Sequence, residues 1–207
     1  TIRCITIDKS GNLYATGNFY NKNFEQYVAK WNGIEWKQLG GTNAWYRYNI
    51  IRTITFDDSG NIYVGGGDAF GINSYKPFIA KWNGVNWSNI FLNNNNGPNV
   101  SGAFVESILF DSGKIYISGP LVNDDNNNLS ILKWNGNNWS EVGNTNIPFN
   151  NNSIIGLYKD KFGFIYAGTN NRIVIKFDGS SWINLKQNDL GAGTITSIFM
   201  NNNDEII

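Results

Sequence analysis

Acidic residues are the first candidates for chemistry in this sequence, because it contains no histidine. Without histidine, Ser-His-Asp and Cys-His nucleophilic systems are excluded, and so are most zinc and copper sites. Four aspartates recur at equivalent places, each after a short apolar stretch and shortly before a glycine. They are Asp8, Asp57, Asp111 and Asp160. They could be acids in an active site, but side chains that cap their own turns explain this spacing better, so we expect no catalytic residue among them.

A second polar group, Asn123-Asp124-Asp125, has oxygen ligands of the kind that bind calcium. Asparagine, however, makes up 36 of the 207 residues and fills the loops throughout the chain. A polar loop tip therefore explains this group better than a metal site does. We expect no cofactor, and calcium is the one candidate ion.

The charge balance argues against nucleic acid as a partner. The chain has 16 basic and 16 acidic residues, whereas a protein that grips phosphates needs a basic surface. Four lysines repeat, Lys30, Lys81, Lys133 and Lys176, and could form a stripe for a polyanion, although a solvated position in each repeat explains them better. No run of about 18 apolar residues occurs, so we expect no membrane insertion. The single cysteine, Cys4, leaves the compartment open.

The elements that would position these residues come from a repeat of about fifty residues. The phrase KWNG occurs three times, each time with a second tryptophan three residues after the glycine, and KFDGSSW at 176–182 is a fourth copy. The second tryptophans are Trp36, Trp87, Trp139 and Trp182. Each copy opens upstream with a phrase like IRTITFDDSGNIYVGG at 51–66, and the residues from Ile195 begin a fifth copy.

Each copy reads as four short antiparallel strands without helical periodicity. ITFD and its equivalents alternate apolar and polar residues and then reach a turn rich in Asp, Ser and Gly, which favours a hairpin. Asn-Gly predicts a two-residue type I′ turn between the third and fourth strands. That turn would place Ala29 opposite Trp36, Trp31 opposite Ile34, and Lys30 opposite Glu35. The tryptophan faces are too apolar for one sheet to hide, so we expect the next copy to cover them and to bury all four second tryptophans.

SGNIYVGG followed by IAKWNGVNWS, with Leu39-Gly40 after the first copy, resembles the kelch-like propeller repeats of secreted and surface proteins. The resemblance implies an all-β β-propeller and a surface or extracellular setting, but no single activity. We place the four-stranded blades at about 1–49, 50–101, 102–152 and 153–193, with the start of the next blade at 194–207. Because four blades and a partial fifth do not close a ring, we expect further chain that completes five to seven blades.

Antiparallel connectivity separates the two ends of every blade. The 1–2 and 3–4 turns lie at one end and repeat between copies, whereas the 2–3 and 4–1 connections lie at the other end and differ. Binding residues are usually found on such variable loops. The candidate contact residues there are aromatic residues and one arginine, which could also fold back to plug the blade tops. They are Phe19, Tyr20, Trp45, Tyr46, Arg47, Tyr48, Phe70 and Tyr75.

These patterns favour a non-enzymatic interaction or structural module that binds a protein or glycan through the variable loops. We expect an extracellular, surface or virion setting rather than a cytoplasmic one. Two alternatives stay open. One is a structural protein that tiles a virion or surface layer, which would need large contacts between chains. The other is a hydrolase or lyase acting on a sugar or lactone, which would need carboxylates, with or without calcium, converging on the axis.

Overall fold

The computed structural model describes residues 1–41, 49–68, 77–90, 100–185 and 194–198, and every regular element in these ranges is a β-strand. In chain order the strands are β1 (Ile2–Ile7), β2 (Leu13–Gly17), β3 (Ala29–Trp31), β4 (Trp36–Gln38), β5 (Asn49–Phe56), β6 (Ile62–Asp68), β7 (Pro77–Trp82), β8 (Trp87–Asn89), β9 (Val100–Gly102), β10 (Ser107–Asp111), β11 (Lys114–Ser118), β12 (Leu121–Asn123), β13 (Asn128–Leu129), β14 (Leu132–Trp134), β15 (Trp139–Glu141), β16 (Ile154–Lys159), β17 (Ile165–Thr169), β18 (Val174–Phe177) and β19 (Trp182–Asn184). None of these ranges contains a helix long and apolar enough to cross a membrane.

The strands form four four-stranded antiparallel sheets, which we call blades 1 to 4. Blade 1 is β1–β4, blade 2 is β5–β8, blade 3 is β10, β11, β14 and β15, and blade 4 is β16–β19. The first strands of successive blades lie side by side, β1 against β5, β5 against β10, and β10 against β16. The blades therefore radiate from a common axis with the first strand innermost, and the predicted all-β propeller is confirmed. Beyond blade 4, Ile195 and Ile198 pack on Tyr166 and Val174, where the first strand of the next blade would lie.

The predicted register of the Asn-Gly hairpins is wrong. Trp31 pairs with Trp36, and Lys30 pairs with Lys37 rather than with Glu35, because the loop between β3 and β4 holds four residues. Only Gly33 has a positive φ in this loop, at 97°. A type I′ turn would need a positive φ at Asn32 as well. Asn32 instead caps the loop, since its side-chain oxygen accepts hydrogen bonds from the amides of Ile34 and Glu35 at 2.9 Å.

This register places both aromatic residues of each phrase on one face as a tilted pair. Their ring centres are 5.0–5.6 Å apart in all four blades. The pairs are Trp31–Trp36, Trp82–Trp87, Trp134–Trp139 and Phe177–Trp182. On the other face of the sheet, Lys30 and Lys81 lie over tyrosine rings of their own blades, at 5.3 and 5.4 Å from the ring centres.

Burial of the second tryptophans follows the prediction in three blades and contradicts it in one. Trp87, Trp139 and Trp182 are 3%, 4% and 8% exposed, whereas Trp36 is 42% exposed. Each buried ring packs towards the preceding blade, and no sheet in the described ranges covers this face of blade 1. The same face leaves Ile5 and Ile7 exposed, although their equivalents in blade 2 pack against blade 1.

Three of the four recurring aspartates cap the 1–2 turns, as predicted. Asp57 Oδ1 accepts hydrogen bonds from the amides of Ser59 and Asn61, and its Oδ2 accepts from the Asn61 side chain and the Tyr63 hydroxyl. Asp8 and Asp160 form the same kind of cap. Blade 3 differs because its turn is shorter. Ser112 and Gly113 both have positive φ there, and the Asp111 carboxylate pairs with Lys159 of the next blade.

A fifth, small sheet of three strands lies outside the blades. The hairpin of β12 and β13 comes from the 2–3 connection of blade 3, and β9 comes from the connection between blades 2 and 3. Both segments belong to the end that carries the 2–3 and 4–1 connections, which we call the variable end. The opposite end is the turn end. The variable end is thus folded into strands of its own in this region rather than formed only by irregular loops.

Candidate functional site

A cavity of about 500 Å³ lies beside the innermost strands of the propeller. We call it the axial cavity. Its charged and hydroxyl-bearing lining residues are Arg3, Arg52, Glu106, Ser153, Thr194 and Thr196. Two isoleucines, Ile155 and Ile195, and Asn170 complete the lining.

Five of these residues occupy one equivalent position in the repeat. They are the second residues of the opening phrases, namely Arg3, Arg52, Glu106, Ile155 and Thr196. In blades 1, 2 and 4 the pairing of the first two strands shifts register at this residue, so it is left out of the ladder while its neighbours pair. Ile51, Val105 and Ile154, each one residue earlier, are fully buried. The propeller therefore brings one equivalent position from all five copies to a single cavity, and the charge at this position varies between copies.

Arg52 and Glu106 form an ion pair across the boundary between blades 2 and 3. Their side chains are only 19% and 20% exposed, and the Arg52 guanidinium lies 3.7 Å from the centre of the Phe104 ring. Burial lowers the pKa of Arg52 below its ordinary value; Glu106 opposes this change and the charge of Arg3 adds to it. Burial raises the pKa of Glu106 above its ordinary value, although Arg52 and Arg3 both act to lower it. Burial thus disfavours the charged form of each partner.

Arg3 places a second guanidinium at the cavity. It is exposed, and its Nε donates a long hydrogen bond of 3.5 Å to the Asn18 side chain. Its charge is close enough to Arg52 to act on the pKa of that residue. Among the described lining residues, two positive groups therefore face one carboxylate.

Two polar atoms of the lining residues are shielded from solvent without a hydrogen-bond partner in the described ranges. They are the Nε of Arg52 and the hydroxyl of Ser153. The backbone of Ser153 is fully used, because its amide donates to the Asn170 side chain and its carbonyl accepts from the Asn170 amide, both at 3.0 Å. A buried donor without an acceptor costs about 1–3 kcal/mol. Both donors are unpaired beside the cavity, and a ligand group would reach them after a side-chain movement that uncovers them.

The cavity lies at the variable end, where the sequence predicted binding. Arg3 stands near the beginning of β1, Ser153 comes just before β16, and Asn170 comes just after β17. Arg3 and Ser153 thus lie where first strands begin, which is the end of the 4–1 connections, and Asn170 lies where a 2–3 connection begins.

Of the predicted contact residues, Phe19 and Tyr20 lie in the described ranges, and neither lines this cavity. Phe19 packs edge-on against Tyr27 at 5.0 Å, and Tyr20 is exposed in the 2–3 connection of blade 1. The other six predicted residues lie outside the described ranges, namely Trp45, Tyr46, Arg47, Tyr48, Phe70 and Tyr75. Sequence reasoning missed Arg3, Arg52 and Glu106.

The group considered for calcium is engaged in holding its own loop. Asn123 Oδ1 accepts from the Asp125 amide at 2.9 Å, and its amide nitrogen donates to Glu141 at 2.7 Å. Asp124 accepts from the Ser101 hydroxyl at 2.6 Å. Over the ranges that the structure describes, no three acidic or cysteine side chains stand close enough to hold one ion.

One family model matches the sequence. It is described as a two component regulator propeller and matches residues 148–171, which span the end of blade 3 and the first two strands of blade 4. No curated protein matches the sequence.

Solved structures with a similar fold match nearly the whole chain. The extracellular domain of a putative hybrid two component system, BT4673 from B. thetaiotaomicron, has a TM-score of 0.65 and 15% identity over 99% of this chain and 25% of that chain. A gluconolactonase from Xanthomonas campestris, XC5397, has a TM-score of 0.60 and 12% identity over 98% of this chain and 66% of that chain. YCF48 bound to a D1 peptide has a TM-score of 0.58 and 11% identity over 100% of this chain and 59% of that chain. The chain thus spans a quarter to two thirds of these proteins, and identities this low establish a shared fold only.

Proposed function

We propose that this chain is a non-enzymatic recognition module that binds its ligand at the variable end, in and around the axial cavity. The observation that carries the proposal is the convergence of five equivalent repeat positions on one cavity with unlike side chains. Packing alone explains the positions that stay alike, such as the aromatic pairs. The position that changes from arginine to glutamate, isoleucine and threonine has no such packing role. A rigid repeat that presents a variable set of side chains is the usual arrangement of a binding surface.

An extracellular setting fits this proposal. The family match over residues 148–171 is to a regulator propeller, and BT4673 is similar through its extracellular domain. We propose that this chain likewise lies outside the cell and senses or recognises a ligand there. A protein segment or a glycan stays the proposed class of partner, and the peptide held by YCF48 is an example on a similar fold.

Catalysis is the competing function, since a gluconolactonase has a similar fold. A hydrolase acting on a lactone needs a free side chain to activate the attacking water, and glycosidases use a pair of carboxylates that flank the scissile bond. Among the described lining residues only Glu106 carries a carboxylate, and it is already paired with Arg52. This arrangement supports binding over acid–base chemistry.

A ligand screen with a cavity-filling variant tests the proposal. Saturation-transfer NMR would be recorded with neutral monosaccharides, sugar acids, amino acids and short peptides, on the wild-type chain and on Ile155→Trp. The control is Ile34→Trp, which adds the same ring to an exposed residue in the loop between β3 and β4, at the turn end. We expect at least one class to bind the wild type and the control but not the filled cavity. Binding that persists in Ile155→Trp, or no binding by any class of probe, would refute the proposal. Chemical conversion of a probe would show that the protein is an enzyme instead.

A further inference from the structure

The charges of the axial cavity point to the kind of ligand it holds. The described lining carries the guanidiniums of Arg3 and Arg52 and the carboxylate of Glu106, which leaves one positive charge in excess. The attraction of an anion to this excess is strengthened by partial burial, because water screens it less there than at an open surface. A ligand with one negative charge would neutralise the cavity, whereas a dianion would leave a net negative charge beside Glu106.

Arg52 is held in a geometry suited to a carboxylate. Its guanidinium lies against the Phe104 ring, which fixes the plane, and Glu106 is bound at Nη1. Nε lies on the other edge of the guanidinium and has no partner among the described residues. A planar guanidinium binds a carboxylate through two parallel N–H donors, and the edge formed by Nε and Nη2 is one of the edges that does so.

The rest of the lining adds one polar contact and an apolar wall. The Ser153 hydroxyl has no partner in the described ranges and is shielded from solvent, so it would donate to a ligand oxygen after rotation about χ1. Ile155 and Ile195 offer apolar surface beside it. A ligand that fits this lining has an anionic group at one end and a compact, partly apolar body at the other.

Building on the proposed function, we propose that the axial cavity binds a small organic monocarboxylate, with Arg52 as its direct partner, Arg3 as a second positive charge and Ser153 as an additional donor. Glu106 competes with the ligand for Arg52, and its ion pair with Arg52 orients the guanidinium. We assign only the carboxylate of the ligand. The shape of the cavity determines which ligand body fits.

Matched pairs of probes isolate the carboxylate from the body that carries it. The probes are glucuronate against glucose and benzoate against benzamide, with inorganic phosphate as a separate anion, each titrated into the wild-type chain by calorimetry. We expect each acid to bind at least tenfold more tightly than its neutral counterpart. We also expect phosphate to bind more weakly than either acid.

Variants of the ion pair give effects of opposite sign. Arg52→Gln should weaken binding of the acids at least tenfold, and Arg3→Gln should weaken it two- to fivefold. Glu106→Gln should strengthen it, because it removes a competing negative charge and frees Nη1. If Arg52→Gln fails to fold because Glu106 is left buried without a partner, Arg52→Gln/Glu106→Gln keeps a neutral pair and should lose the preference for acids.

The outcomes separate this inference from the proposed function. Equal binding of acid and neutral probe, or weaker acid binding by Glu106→Gln, would overturn the carboxylate assignment while leaving the cavity as a binding site. Tight binding of phosphate without binding of either acid would also overturn it. If no probe of any class binds, the proposed function fails as well.

Discussion

The indole Nε1 of Trp87 donates a hydrogen bond of 2.9 Å to the backbone carbonyl of Leu39, across the boundary between blades 1 and 2. The same bond joins Trp182 of blade 4 to Val142 of blade 3. Leu39 and Val142 each precede a glycine with positive φ, Gly40 at 68° and Gly143 at 62°. A Cβ at Gly40 would lie 2.3 Å from the Trp82 ring, so this position has no room for a side chain. The tryptophan phrase of one blade and the Leu-Gly phrase of the preceding blade are therefore two halves of one joint.

The first prediction compares the second tryptophans of two copies of the phrase, one in blade 1 and one in blade 2. Trp87→Ala should lower the free energy of unfolding by about 3–5 kcal/mol, the usual cost of removing a buried large aromatic side chain. Trp36→Ala should cost less than about 1 kcal/mol, because Trp36 is 42% exposed and lies on the open face of blade 1. Chemical denaturation of both variants measures the difference. A loss for Trp87→Ala as small as that expected for Trp36→Ala would mean that this contact between blades does not stabilise the propeller.

The second prediction concerns a glycine that lets two segments approach. A Cβ at Gly67 would lie 1.8 Å from the Ala103 carbonyl oxygen and 3.0 Å from the Phe104 ring. Gly67→Ala should therefore force the backbone apart and cost about 2–3 kcal/mol. The control is Gly168→Ala in β17, where the nearest atom would lie 3.6 Å away and the cost should be near zero. A lower Tm for Gly168→Ala than for Gly67→Ala in thermal melts would contradict the close approach.

The third prediction is a pH dependence at a turn cap. Burial acts to raise the pKa of Asp57, but hydrogen bonds from Asn61 and Tyr63 outweigh it and hold the pKa below the ordinary value of 3.8. A lowered folded-state pKa stabilises the fold above the unfolded value, and this contribution is lost as the pH falls through the folded value. Asp57→Asn should cost about 1.5–3 kcal/mol at pH 7, and its difference from wild type should narrow below about pH 4.

Asp58→Asn is the matched control for this experiment. Asp58 is the exposed neighbour of Asp57, and its substitution should change stability by less than about 0.5 kcal/mol at pH 7. Urea denaturation from pH 7 to pH 2 gives both curves. A gap between wild type and Asp57→Asn that stays constant over this range would show that the carboxylate charge does not contribute.

The fold could be predicted from the sequence because its signals are local. The period, the turn residues and the alternating strands each lie within one repeat. The hairpin register could not be predicted, because Asn-Gly is compatible with two loop lengths and only the capping contacts of Asn32 decide between them. The exposure of Trp36 also lay beyond the motif, because a neighbouring blade, and not the phrase itself, determines burial.

The candidate site was harder to predict than the fold. Arg3, Arg52 and Glu106 follow one another at intervals of about fifty residues in the sequence. Only the radial packing of first strands brings them together. One signal was available in the sequence. The second residue of the opening phrase changes from arginine to glutamate to isoleucine while its neighbours stay apolar or small. The aromatic residues of the variable loops gave the stronger signal for binding, because they stand outside the repeat.

Recognition at the axial cavity is tested most directly by a methyl NMR titration of isoleucine-labelled protein with glucose, glucuronate and trialanine in turn. Ile155 and Ile195 line the axial cavity, whereas Ile7 and Ile34 are exposed near the turn end. We expect binding of at least one probe to shift the methyl signals of Ile155 and Ile195 and to leave those of Ile7 and Ile34 unchanged. Shifts confined to Ile7 and Ile34, or no shift at Ile155 with any of the three probes, would contradict recognition at the axial cavity.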